Sequence, residues 1–102
     1  NITGGLRVDD PAIDLAVAAA IVSSYRESPL PSHMVVMGEV GLTGEIRQTG
    51  QMERRLLEVA KLGFQTLIIP KEKGILKTAA DLDLTVYQIQ GLDDALRYMG
   101  LV

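Results

Sequence analysis

A chain that makes or breaks covalent bonds needs a nucleophile beside a base, a set of metal ligands or a cradle for phosphate. The serines Ser23, Ser24 and Ser28 fall near the end of an apolar helical stretch, and Ser32 falls in a proline-rich loop. Nothing beside them supplies the proton acceptor that nucleophilic catalysis requires, so a structural role is expected for each. There is no Cys, and His33 is the one His; disulfides, thiolate zinc and an imidazole cluster are therefore excluded. His33 reads as an exposed loop residue. Gly38, Gly41 and Gly44 recur every three residues, which is not the dinucleotide-binding fingerprint and lacks its following helix; they serve a turn. Asp14 stands one turn into an otherwise apolar helix. It is read as a first-turn carboxylate favoured by the helix dipole, with pairing to Arg7 or to a neighbouring subunit's cation as the alternative. Arg54 and Arg55 lie beside an apolar stripe, and a guanidinium fork suits phosphate and carboxylate alike. An i, i+4 pair between Arg54 and Glu58 is an equally good local account.

The elements that must hold these residues follow from pattern. The chain has 102 residues, 47% hydrophobic and 23% charged, with a net charge of -3, which is the composition of one ordinary globular domain. Asn1 to Val8 read as an irregular strand with Gly4-Gly5. Asp9-Asp10-Pro11 is a helix start, because a carboxylate cap accepts orphan amide hydrogens and proline fits the first turn. The helix is expected to run to about Glu27 and, being apolar almost all round, to be buried. Pro29 and Pro31 end it, Met34 to Met37 form a buried strand, and Gly38 to Arg47 read as strand, tight turn, strand. From Gln51 to Leu62 the spacing of Met52, Leu56, Val59 and Ala60 predicts an amphipathic helix closed by Gly63. Thr66 to Ile69 is a strand ended by Pro70, Lys73 to Ala80 a short helix, Leu84 to Ile89 a strand, and Leu92 to Met99 a last helix. The expected fold is a two-layer α/β (α+β) domain with helices on a mixed sheet.

Charge is segregated along the chain. Residues 1–45 hold two basic and six acidic side chains, residues 46–77 seven and three, and residues 78–102 one and four. A basic middle segment permits an anionic partner without requiring one; a solvated face is the plainer reading. The longest apolar run, Leu15 to Val22, has eight residues, far short of a membrane span. With no cysteine and no signal peptide, a cytoplasmic location is expected, and the first residue, Asn1, reads as that of a piece of a longer protein.

Four stretches, taken in order, resemble the proteolytic domain of Lon proteases: Asp9-Asp10-Pro11-Ala12, Met37-Gly38-Glu39-Val40, Met52-Glu53-Arg54-Arg55-Leu56-Leu57 and Leu67-Ile68-Ile69-Pro70-Lys71-Glu72. In that family the first motif reads Asp-Gly-Pro-Ser-Ala-Gly, its serine being the nucleophile and a lysine of the third motif its base. The resemblance places the nucleophile position at Ala12 and the base position at Arg55. Alanine has no oxygen to attack with, and arginine stays protonated. Met37, where the family usually has Thr, removes further polarity. The resemblance therefore implies a Lon-like fold without peptidase activity, the dyad being degenerate at Ala12 and Arg55.

Thr3-Gly4-Gly5-Leu6-Arg7, Asp14 to Ala20 and Gly38 to Glu45 are similar to a DNA-repair branch of the same superfamily. That resemblance implies a scaffold domain in a homo-oligomeric ring of six subunits, with accessory contacts to DNA during processing of branched recombination intermediates, and RecA as a partner. Parent proteins of that branch carry a zinc finger and a RecA-like ATPase core upstream, so ATP, Mg and zinc are implied for those parts and no cofactor or metal for this one. Arg47, Arg54, Arg55 and Lys61 are the expected DNA contacts. A protein-interaction module that recruits RecA and a residual serine peptidase are the alternatives.

Overall fold

The computed structural model describes residues 9–102, so the strand expected at its start (1–8) lies outside the described residues. Asp10 opens the first element as the sequence suggests: its Oδ1 accepts the Ala12 amide hydrogen at 3.0 Å. Pro11 then starts a 3-10 turn, Pro11–Ile13, that leads into helix α1, Asp14–Arg26. Strand β1, Met34–Val36, follows the proline loop. Strands β2, Glu39–Val40, and β3, Ile46–Arg47, form an antiparallel hairpin, turned through Gly44 at φ 85°, a conformation that costs little only for glycine. Helix α2 spans Met52–Lys61, strand β4 Thr66–Pro70, helix α3 Ile75–Asp81, strand β5 Thr85–Ile89 and helix α4 Leu92–Tyr98.

Among the described residues the strands do not form one mixed sheet. β1, β4 and β5 make a parallel sheet in the order β1-β4-β5, and the β2–β3 hairpin stands apart, joined to the end of β5 by a single bridge between Glu45 and Gly91. Each β-α-β connection returns the chain in the same direction, and parallel pairing needs such crossovers. Pro70 lies inside β4, opposite Ile89, rather than beyond it.

Nor are there two layers. Side chains of a strand alternate between faces, and β4 is apolar on both. Ile68 joins Leu15 and Ala19 of α1 with Ala95 and Leu96 of α4. Leu67 and Ile69 join Met52, Leu56 and Val59 of α2 with Ile75 and Ala79 of α3. The domain is therefore an α/β/α stack in three layers. All three central β4 side chains are fully buried, each worth roughly 1.5–3 kcal/mol in transfer terms.

Helix α1 corrects another expectation. Only Leu15 and Ala19 of it are buried, whereas Val17, Ile21 and Tyr25 are 50%, 65% and 89% exposed. Among the described residues the sheet has three strands and offers the helix one flank, which covers only one stripe of it. Helix α2 agrees with its periodicity: Met52, Leu56 and Val59 are buried, while Ala60 is half-buried.

Candidate functional site

The end of β1 is where the start of α1, the hairpin and β4 converge. The Gly38 amide donates to the Ala12 carbonyl at 2.9 Å, and the Gly38 carbonyl accepts from Leu15 N at 3.0 Å. A Cβ at Gly38 would lie 2.7 Å from Ile46 Cγ2, so only glycine lets the hairpin and helix approach this closely. Ala12 is 2% exposed. Asp14 reaches across the same junction, its Oδ2 accepting the Val40 amide hydrogen at 3.2 Å. That tie to β2 is one that neither of its sequence readings contained, and Arg7, its suggested partner, lies outside the described residues.

Position 55 comes to this junction through Asp10. Arg55 extends from α2 with Nη1 2.9 Å from Asp10 Oδ2 and Nη2 3.3 Å from Oδ1. Its Nε donates to the Gly50 carbonyl at 3.1 Å. Asp10 thus caps the turn that holds Ala12 while taking both prongs of the guanidinium. The hydrogen bond from Arg55 is the main cause, and the Ala12 amide the second, that holds the Asp10 carboxyl below its usual range. Arg55 is therefore paired with the carboxylate that caps the Ala12 turn; Ala12 has no side-chain oxygen, and the guanidinium accepts no proton. Sequence reading cast Asp10 as a helix cap only; its second role joins residues 45 apart, and no local signal marks it.

This pair is half-exposed, at 27% for the Arg55 side chain and 41% for Asp10, so solvent screening limits it to about 1 kcal/mol or less. Because the folded carboxyl titrates below its usual value of 3.8, its contribution is full above that pH and is lost on acidification through the lower folded value. The stability difference between wild type and Arg55→Ala, read by denaturant melts, is expected to be constant near neutrality and to shrink below pH 4.

The remaining candidates are distributed differently from a single stripe. Arg47, on β3, pairs with Glu45 at 2.8 Å and approaches Glu39 at 3.9 Å. Lys61 pairs with Glu58 at 3.6 Å, and Arg54 donates to Gln51 Oε1 at 3.3 Å rather than pairing with Glu58. Arg54 and Lys61, seven apart on α2, share a helix face, whereas Arg55 turns to Asp10. His33 is exposed in a turn, and the Ser23 hydroxyl donates to the Ser28 carbonyl.

The hairpin turn carries a titration of its own. Glu45 accepts from the Thr43 hydroxyl at 2.7 Å and from Arg47 Nη2 at 2.8 Å, which together hold its carboxyl at about 2 rather than 4.5. The stabilisation is present above pH 4.5 and disappears as the pH falls toward 2. Glu45→Gln is expected to lower the melting temperature slightly at pH 5–8 and to match wild type near pH 2, as thermal melts across that range would show.

Among the described residues no three His, Cys, Asp or Glu side chains gather as a metal site, and no described helix is long and apolar enough to cross a membrane. Residues 2–73 match the family model described as subunit ChlI of Mg-chelatase. The chain is 43% identical over 96 residues to DNA repair protein RadA of Halalkalibacterium halodurans, covering 94% of this chain and 21% of that protein. Its identity to DNA repair protein RadA of Listeria monocytogenes is 44% over 95 residues, 92% of this chain and 20% of the relative. For the Synechocystis protein of the same name it is 46% over 79 residues, 78% and 16%. The chain spans about a fifth of the length of the first two curated relatives.

Proposed function

The chain belongs to the family described as subunit ChlI of Mg-chelatase, and on that premise we propose that it acts as a non-proteolytic, Lon-like scaffold domain of a DNA-repair ATPase. The observation that carries the non-proteolytic part is the ion pair of Arg55 with Asp10 beside Ala12. The Lon motif has glycine where Asp10 stands and serine where Ala12 stands. The three exchanges fit together, since the added carboxylate neutralises a cation that cannot act as base. The DNA-repair part is supported by relatives named DNA repair protein RadA, which align with 92–94% of the chain.

In this reading the domain supports ring assembly and adds contacts to DNA, and the ATP, Mg and zinc chemistry belongs to other segments of the longer protein. Three measurements test it. A fluorophosphonate probe is expected to leave the protein unlabelled; labelling abolished by one Ser→Ala change would restore a peptidase. Binding of labelled DNA by the intact protein is expected to weaken steeply with salt. DNA binding that is absent at low salt, with RecA capture retained, would make the domain a protein-recruiting module instead. Light scattering addresses assembly: six copies of the 11.0 kDa chain would weigh about 66 kDa if the domain closes the ring by itself.

A further inference from the structure

The cations of the described surface are unevenly satisfied. Arg47, Arg55, Lys61 and Arg97 each lie within 4.0 Å of a carboxylate. Among the described residues Arg26, Arg54, Lys71, Lys73 and Lys77 have no such partner, although all five are exposed; of these, only Lys71 and Lys73 line one concave site together. Lys71 and Lys73 flank a groove of about 340 Å³ that Glu72, Gly74, Leu76 and Gln88 complete. Its lining thus carries two lysines and one glutamate, and Lys77, four residues after Lys73, lies on α3.

The backbone beneath these lysines is held from both sides. The Lys71 amide donates to the Ile89 carbonyl at 3.0 Å, the Glu72 amide to Gln88 Oε1 at 2.8 Å, and Gln48 Nε2 to the Lys71 carbonyl at 2.9 Å. Loop geometry is therefore set by β5 and by the segment after β3, which leaves the two ammonium groups uncommitted. The groove opens where β4 leaves the parallel sheet at its carboxyl end. A cation already paired with a carboxylate must give up that partner before it can neutralise a phosphate; an unpaired one gains the full counterion-release benefit.

We propose that this groove, through Lys71 and Lys73, receives the phosphodiester backbone of a DNA strand, in place of the Arg47, Arg54, Arg55 and Lys61 set. The assignment rests on the DNA-binding reading above. Its contacts are to phosphate and carry no sequence preference.

The test is fluorescence anisotropy of a fluorescein-labelled 30-nucleotide single strand titrated with the intact protein across a salt series. Lys71→Ala/Lys73→Ala is expected to reduce the salt slope by about 2, one unit for each phosphate no longer neutralised. Lys71→Arg/Lys73→Arg is expected to keep the wild-type slope, which separates removal of charge from a disturbed fold. Arg54→Ala/Lys61→Ala is expected to leave the slope unchanged. Wild-type binding with an unchanged slope in Lys71→Ala/Lys73→Ala overturns the groove while leaving DNA binding intact, and so does a slope reduced only in Arg54→Ala/Lys61→Ala. No binding by the wild-type protein at low salt overturns both readings. Displacement of the strand by polyglutamate as readily as by unlabelled DNA, at equal charge, overturns the phosphodiester assignment.

Discussion

Leu56→Ala is expected to cost about 2–5 kcal/mol of folding stability, a large share of the roughly 5–15 kcal/mol that holds a domain together. Leu56 is fully buried on the inner face of α2, in the cluster with Leu67, Ile69, Ile75 and Ala79. Truncation removes three carbons and leaves a cavity between two rigid elements, the parallel sheet and the α2–α3 layer. Neither can close it without breaking ladder or helix hydrogen bonds, so the cavity cost adds to the forfeited transfer free energy. Urea denaturation followed by circular dichroism measures it, as a lower midpoint at unchanged slope. A loss below 1 kcal/mol would mean that α2 can move toward the sheet, and hence that Arg55, its neighbour on the helix, is not held rigidly against Asp10.

Gly38→Ala is the second large effect, about 1–3 kcal/mol by overpacking. The new methyl would stand 2.7 Å from Ile46 Cγ2, 3.5 Å from Pro70 Cγ and 3.7 Å from Leu15 Cδ2. Relief by backbone movement is opposed because Gly38 is bonded on both sides, to the Ala12 carbonyl and the Leu15 amide. The clash with Ile46 must therefore be what gives. A double-mutant cycle isolates it: on an Ile46→Ala background, which already carries its own cavity cost, adding Gly38→Ala should cost much less than it does in wild type. Equal costs in both backgrounds would place the strain in the backbone and not at Ile46. Since the same junction holds Ala12, Gly38→Ala should also weaken the Arg55–Asp10 pair, which would show as a reduced effect of Arg55→Ala in the variant.

Local elements were legible because their signals are local. The Met52, Leu56, Val59 spacing marks the buried face of α2, the apolar run of β4 marks a strand enclosed on both sides, and Asp10-Pro11 marks a start that its cap bond realises. What the sequence misled on has one origin, the sheet. Strand order is a non-local property, so nothing in Met34 to Met37 says that β1 pairs with β4 in parallel while the adjacent hairpin stands outside that sheet. The burial of α1 was overestimated for the same reason: its composition is apolar on every side, yet the share that is covered depends on how many strands lie beneath it.

Residue types by themselves settle the chemistry at positions 12 and 55. An alanine methyl and a permanently protonated guanidinium cannot act as nucleophile and base, whatever surrounds them. The segregation of positive charge into residues 46–77 is likewise written in the chain. Which of those cations is free was decided only by the fold. Asp10 and Arg55 meet across 45 residues, and Arg47 and Lys61 find carboxylates. Arg54, Lys71, Lys73 and Lys77 are left without a carboxylate among the described residues, Lys71 and Lys73 of them at the rim of the parallel sheet. Charge is a property of the side chain, but its availability depends on which opposite charges the tertiary structure brings within a few ångströms.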